Sequence, residues 1–289
     1  MKVCGFTFVR NAVNFGYPVI ESIKSILPIC DEFIISIGNS EDNTESLIKT
    51  IDSRKIKIIH SIWDDNLRKD GQVLAIETNK AFDAISQEFD WAFYIQADEV
   101  VHEKYLDTIY SSMNQWKDNQ KVESLLFKYL HFYGSFDYIG DSRKWYRNEI
   151  RIIRNNKNIR SYKDAQGFRI NNKKLNVKVI DAYIYHYGWV KHPSTMKNKE
   201  KYFHKLWHDN KWMELNVKNE DLFDYSNVDS IKKFSGKHPE IMKEHIEKMN
   251  WKIELDTNKK NFNIKNRLLY KIEKVTGIRL FEYKNYKII

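Results

Sequence analysis

The sequence predicts an open α/β sheet flanked by helices, followed by a helical, basic C-terminal extension. Three observations predict it. Over the first hundred residues, short apolar runs alternate with amphipathic stretches, and strands separated by helices pair in parallel through crossover connections. From residue 194 onward the chain is rich in helix formers, aromatic and charged residues, and Gly277 is the only glycine after Gly236. Finally, 289 residues with 42% hydrophobic and 30% charged side chains can bury a full core. That length suits one large domain or one domain with an appendage. We place the boundary near residue 200, giving an α/β domain over 1–200 and a helical, basic region over 201–289.

The elements follow in order. Residues 2–9 read as a strand. Residues 17–27 read as a helix, with Pro18 tolerable in its first turn. Residues 32–38 (EFIISIG) form a second strand, and Gly38-Asn39-Ser40 is a turn signal. Asn43 or Thr44 caps a short helix running to Ile51. Residues 55–63 alternate like a third strand. From Asp70, the apolar face of Leu74, Ala75, Thr78, Ala81, Phe82 and Ile85 has helical spacing. Residues 91–95 are a wholly apolar fourth strand that ends at Gln96-Ala97-Asp98-Glu99. Residues 102–116 are expected to be helical, and 122–133, 149–154 and 177–187 to be strands. In residues 266–278, Leu268, Leu269, Ile272 and Val275 share one face of a further helix.

Composition excludes several classes. With 10 Gly and 4 Pro, the chain is neither collagen-like nor a linker. No run approaches the length of a membrane span, and Arg10 interrupts the short apolar N-terminus, which argues against a secretory signal. Cys4 and Cys30 supply neither a disulfide framework nor a zinc site, and read as buried filler in a reducing cytosol. The net charge is +9, and residues 257–289 carry +7 of it, through nine Lys and Arg against Glu273 and Glu282. Such an end suits a phosphate-rich partner or a plain solvated surface. The face on 266–278 suits an anionic membrane surface or packing onto the rest of the fold.

Ligands of open α/β sheets bind beyond the carboxyl ends of the strands. Four loops therefore matter, those after Phe8, Gly38, Trp63 and Ile95. No G-x-G-x-x-G follows the first strand and no G-x-x-x-x-G-K-[ST] is present, so dinucleotide and P-loop chemistry lose their main support. Asp98 and Glu99 place two carboxylates at the sheet rim, where a hard divalent cation would share ligands with substrate phosphates. The same letters would also make a helix cap and a solvated acid. Asn39 and Asp42 offer hydrogen bonds to a base or ribose, or simple turn chemistry. Lys69 and Gly71 precede a helix N-terminus, which suits a phosphate or is a plain helix start.

The order of these features resembles the nucleotide-sugar-binding half of family 2 glycosyltransferases of the GT-A fold. The residues carrying it are Phe8-Val9-Arg10-Asn11, Gly38 through Thr44, Gly71 with Thr78-Asn79-Lys80-Ala81, and Gln96-Ala97-Asp98-Glu99. It covers residues 2–105 well and extends loosely to 200 through Glu149–Asn155 and Tyr185-His186-Tyr187-Gly188-Trp189. The resemblance implies an open mixed sheet and roles position by position. Arg10, Asn39 and Asp42 would surround the nucleoside, with Lys69 and Gly71 near it or the diphosphate. Gln96-Ala97-Asp98 matches the D-x-D motif, with Asp98 holding Mn²⁺ or Mg²⁺. Gln96 departs from that motif, which weakens the expected metal affinity. His186 is the candidate additional metal ligand, or else an aromatic-packed structural histidine. An inverting transfer needs a carboxylate base; Asp164 is the first choice and Glu149 the second. Tyr129, Phe132, Tyr133, Phe136, Tyr138, Trp145 and Tyr146 supply rings to the acceptor side or to the core.

The implied activity is transfer of a sugar from a nucleotide-diphosphate donor to a hydroxyl of a glycan or lipid-linked glycan, in surface-polysaccharide synthesis. The setting would be cytoplasmic, at the inner face of the cell membrane, with no nucleic-acid partner. Two rivals stay open: a nucleotidyltransferase, which lacks here its usual glycine-rich loop after the first strand, and a non-catalytic basic nucleic-acid-binding module.

Overall fold

The computed structural model of the protein describes residues 1–217 and 220–289. In chain order the strands are β1 (Val3–Val9), β2 (Glu32–Ile37), β3 (Ile56–His60), β4 (Trp91–Tyr94), β5 (Glu99–Val101), β6 (Ser124–Tyr133) and β7 (Ser135–Gly140). There follow β8 (Asn148–Arg154), β9 (Ile159–Tyr162), β10 (Gly167–Ile170), β11 (Lys173–Lys174), β12 (Asn176–Trp189), β13 (Ile231–Lys233) and β14 (Lys287–Ile288). The helices are α1 (Val19–Ile26), α2 (Thr44–Ile48), α3 (Gln72–Asp83), α4 (Leu106–Trp116), α5 (Pro193–Lys205), α6 (Asn210–Asn216), α7 (Lys243–Glu247) and α8 (Ile264–Thr276).

The main sheet runs β13-β7-β6-β8-β4-β1-β2-β3, and β12 adds a branch beside β6, β5 and β14. Strands β1, β2, β3 and β4 are parallel. Strand β8 is antiparallel to β4 and to β6, which makes the sheet mixed. A separate antiparallel ribbon, β9-β10-β11, lies beside it. This is an open mixed α/β sheet flanked by helices, the fold class that the sequence predicts.

The sheet is held by its period of two. Val9 on β1, Phe33, Ile35 and Ile37 on β2, and Trp91 and Phe93 on β4 face α1 and α4, where Ile23, Ile26, Ile109 and Met113 fill the same core. The alternate residues Cys4, Phe6, Ile34, Ala92 and Tyr94 face α3, packing with Ala81, Phe82, Ile150 and Phe168. Both cysteines are free and buried, as the sequence expects. At roughly 25 cal/mol per Å² of apolar surface, these two layers are the main stabilising term of the fold.

The first four strands and their helices lie where the sequence places them, within one or two residues except at the ends of α2 and β3, which stop three residues short of Ile51 and Trp63. The predicted helix over 102–116 is α4 preceded by a 3₁₀ turn at Glu103–Tyr105. Strands β7, β9, β10, β13 and β14 have no clear sequence signal. Residue 200, the expected boundary, falls within α5. Past it, β13 pairs with β7 and β14 with β12, so the C-terminal region returns to the main sheet twice.

Helix α8 turns Tyr270 and Glu273 toward the body. Tyr270 donates to Asp141, and Glu273 pairs with Arg143 and Arg279. Of the apolar face read from sequence, Leu269 and Ile272 are half-buried, whereas Leu268 is 60% and Val275 86% exposed. The face is therefore only partly covered, shielded at Leu269 and Ile272 and open at Leu268 and Val275. No helix among the described residues is long and apolar enough to cross a membrane.

Candidate active site

A cavity of about 730 Å³ opens at the carboxyl ends of β1 and β4, lined by residues of β1, β12, α5 and their loops. At its floor is the turn after β4. Glu99, wholly buried, accepts from Arg151 Nε at 2.8 Å and Arg151 Nη2 at 2.7 Å, and from the Tyr129 hydroxyl at 2.7 Å. The same carboxylate accepts the Gln96 backbone N–H at 3.1 Å. The Glu99 N–H returns to the Gln96 carbonyl at 3.0 Å, and Ser22 Oγ donates to that carbonyl at 2.8 Å. Glu99 thus clamps the loop and does not face the cavity. This corrects the expectation of two carboxylates at the rim: one is spent inside the protein on a buried guanidinium, and only Asp98 is presented.

Asp98 Oδ2 lies 3.2 Å from Lys199 Nζ and 3.8 Å from His186 Nε2. Burial opposes its negative charge, but the Lys199 ammonium, which also donates to it, outweighs that and holds the carboxyl well below its usual range. Gly188 makes the approach possible. A Cβ there would stand 2.6 Å from His186 Nε2 and 2.7 Å from Asp98 Oδ2.

The tautomer of His186 follows from its neighbours. His131 Nε2 is 2.8 Å from the Tyr146 carbonyl, which only accepts, so Nε2 carries the proton. Burial holds His131 well below its ordinary pKa, so it is neutral and its Nδ1 is an acceptor. His186 Nδ1, 3.1 Å away, is then the donor. Burial also lowers the pKa of His186, and its Nε2 lone pair is left facing Asp98. One carboxylate and one oriented imidazole lone pair form a donor set that fits a divalent ion shared with a diphosphate and waters. They do not form a closed cage, since no group of three or more His, Cys, Asp or Glu suited to a metal occurs among the described residues.

Of the other residues chosen from sequence, Arg10, Gln96, Ala97 and Asp164 line the cavity. Arg10 is buried and pairs with Asp65 at 2.5 Å. Asp164 lies between β9 and β10, in a tight turn with positive φ at Lys163 and Ala165. Burial raises its pKa, against the lowering effect of its own and Gln166's N–H groups. Gln96 Nε2 donates to the Ala165 carbonyl at 3.4 Å and so ties this turn to the floor.

The remaining choices do not line the cavity. Asn39 is exposed and its side chain accepts the Trp63 N–H at 3.2 Å, fixing a turn. Asp42 accepts from the N–H groups of Asn14 at 2.8 Å and Thr44 at 3.0 Å, capping α2. Lys69 is exposed. Gly71, at φ +64°, starts α3 and leaves space behind the wall, where a Cβ would come within 3.1 Å of Asp164 Cβ. Glu149 is buried on β8 with Oε2 unpartnered. Burial, opposed by Arg151, pushes its carboxyl up to about 8.

Trp63 and Tyr202 line the cavity but escaped the sequence reading. Trp63 Nε1 and Tyr202 Oη, like Arg10 Nε and Trp145 Nε1 among the residues chosen from sequence, are buried there with no hydrogen-bond partner within the protein. The Arg10 guanidinium sits 5.6 Å from the Trp63 ring and 6.0 Å from that of Tyr202. Of the acceptor-side aromatics, Trp145 and Tyr146 line the cavity, joined by Trp189. Tyr129, Phe132, Tyr133, Phe136 and Tyr138 are core residues.

No family model and no characterised protein matches the chain by sequence. Among solved structures it is similar to S. aureus TarS, at 15% identity and TM-score 0.40, covering 76% of this chain and 41% of that one. It is also similar to TarS 1–349 in complex with UDP, at 15% identity and TM-score 0.41, covering 76% and 68%. A third is M. tuberculosis glucosyl-3-phosphoglycerate synthase with Mn²⁺, UDP and phosphoglyceric acid, at 18% identity and TM-score 0.30, covering 45% and 43%. The chain thus spans less than half the length of the first and third of these structures.

Breaking the Glu99–Arg151 pair leaves a buried charge without its partner, so Glu99→Ala should lower unfolding stability by about 3–5 kcal/mol. Urea unfolding measures this, and a loss under 1 kcal/mol would count against the clamp. Glu149 gives a pH signature. Its folded pKa of about 8 stands above its ordinary 4.5, so its favourable contribution is complete below pH 4.5 and is lost as pH rises toward 8. The expected slope in that window is up to about 1.4 kcal/mol per pH unit. Glu149→Gln should flatten it in urea midpoints measured against pH.

Proposed function

We propose that the protein is a glycosyltransferase that moves a sugar from a nucleoside-diphosphate donor to a hydroxyl of a glycan or lipid-linked glycan, with inversion. One observation carries this reading: a single cavity gathers Asp98 with the His186 lone pair, the Asp164 carboxylate, and four unpartnered buried polar atoms. Such atoms are costly when buried alone and are satisfied by a ligand rich in oxygen acceptors.

The roles follow from position. Arg10, Trp63 and Tyr202 form the aromatic, cationic wall for the nucleoside. Asp98 and His186 would hold Mn²⁺ or Mg²⁺, whose chemistry when bound is to neutralise the charge of the departing diphosphate. Trp145 and Trp189 offer faces to the transferred sugar or the acceptor. Asp164 takes the proton of the attacking hydroxyl, and its raised pKa brings it closer to the working pH. Glu149 is less suited, because a carboxyl titrating near 8 is already protonated at neutral pH and faces no cavity.

UDP, the nucleotide bound in the TarS 1–349 and M. tuberculosis crystals, is the first to test, beside GDP-, dTDP- and CMP-linked sugars, with and without Mn²⁺. A cognate donor should raise the melting temperature. Asp98→Ala and Asp164→Asn should each lower turnover at least about 100-fold while leaving the far-UV spectrum unchanged. Full activity in Asp98→Ala would refute the assignment, and binding that survives it but collapses with salt would favour the nucleic-acid module.

The acceptor side carries one further expectation. Ile264 (91% exposed), Val275 (86%) and Phe281 (88%) lie bare among the basic residues of the C-terminal region. Apolar anchors with surrounding cations suit an anionic membrane. Sedimentation with vesicles of phosphatidylglycerol should retain the protein, and Phe281→Glu with Val275→Glu should release it. Equal binding to neutral phosphatidylcholine would contradict the electrostatic part.

A further inference from the structure

Lys199 stands on α5, and its Nζ reaches Asp98 Oδ2 at 3.2 Å and the Gly188 carbonyl at 3.0 Å. The rings of Tyr17 and Phe203 flank the ammonium at 4.8 and 5.3 Å. A second buried lysine, Lys191, faces the same Tyr17 ring at 4.6 Å and donates to the Gly16 carbonyl at 3.0 Å. Of the two, Lys199 is the one that reaches the carboxylate. Neither belongs to the motif that marks Asp98, and Lys199 is held within ion-pair distance of it.

This arrangement has a consequence for how the site fills. With Asp98 paired to Lys199, its negative charge is already neutralised before any ligand arrives. A divalent cation entering alone must take Asp98 from Lys199 and then sit beside the displaced ammonium in a poorly screened pocket. A diphosphate reverses that balance. Its oxygens accept from Lys199 Nζ and add the negative charge that lets both cations stay.

We propose that Lys199 makes the divalent cation and the nucleoside diphosphate bind as a pair: it holds Asp98 in the empty site and releases it to the ion when the diphosphate arrives. The proposal rests on the nucleotide-sugar reading above and adds an order that the reading does not contain. It assigns Lys199 two partners, Asp98 before binding and a phosphate oxygen after, a short swing for a four-carbon side chain.

Calorimetric titration of Mn²⁺ into the full chain, alone and with saturating UDP, tests this directly. In the wild type, UDP should tighten Mn²⁺ binding by at least about 30-fold, a coupling of ordinary allosteric size. In Lys199→Met, Mn²⁺ alone should bind at least about tenfold tighter, UDP alone more weakly, and the coupling should fall by a similar factor. Lys199→Gln keeps a hydrogen-bond donor without the charge and should behave like the Met variant; it also serves if the Met variant does not fold. Unchanged Mn²⁺ affinity in a folded variant, with UDP binding intact, overturns the pairing and leaves the functional reading standing. A wild type that binds neither UDP nor any other nucleoside diphosphate overturns both.

Discussion

Arg151 and Glu99 meet where no water reaches either, and the position of the candidate site depends on that meeting. The guanidinium comes from β8, an antiparallel strand; the carboxylate comes from the turn after β4, a parallel one. Their bidentate contact joins the two halves of the sheet at its ligand-binding end. Because the same carboxylate accepts the Gln96 N–H, the chain between them has little freedom, and Asp98 is aimed by the clamp behind it. Buried pairs of this kind rarely add net stability over an apolar substitute, but they fix one geometry among several.

Around Asp98 the protein arranges charge by burial more than by number. The two histidines are kept neutral by desolvation, which turns a possible repulsion into a directed donor–acceptor chain ending in a lone pair. Glu149 is kept protonated by the same effect and leaves Asp164 as the carboxylate with access to the cavity. Lys199 stays within pairing distance of Asp98. Each group is ordinary; the selection comes from which of them the sheet and α5 leave facing the cavity.

Much of this was legible in the sequence, and the limits have physical causes. The first four strands announce themselves by alternation and by the crossover helices between them. The loop after β4 is visible because an apolar strand stops abruptly at polar residues. Asp98, Asp164, His186 and Arg10 fall in the cavity because local pattern and strand ends locate them. Glu99 misleads, since nothing local distinguishes a solvated acid from one whose partner lies 52 residues away. Asn39 and Asp42 mislead because turn chemistry and nucleoside recognition use the same side chains. Lys199, Tyr202 and His131 are invisible to pattern: their relevance arises only when α5 folds across the sheet edge and β12 lies beside β6. The short strands β13 and β14 escape for a related reason, being recruited by an existing edge and not by their own periodicity.

The central claim is that the Asp98 carboxylate and the His186 Nε2 lone pair together grip the diphosphate end of a nucleotide through a divalent ion. A crystal structure of the protein grown with Mn²⁺ and UDP, with data collected at the manganese absorption edge, addresses it in one experiment. The account predicts an anomalous peak within bonding distance of Asp98 and His186, with the diphosphate on its far side and the base against Trp63 and Arg10. A nucleotide bound elsewhere, or a manganese peak with Asp98 turned away from it, would contradict it.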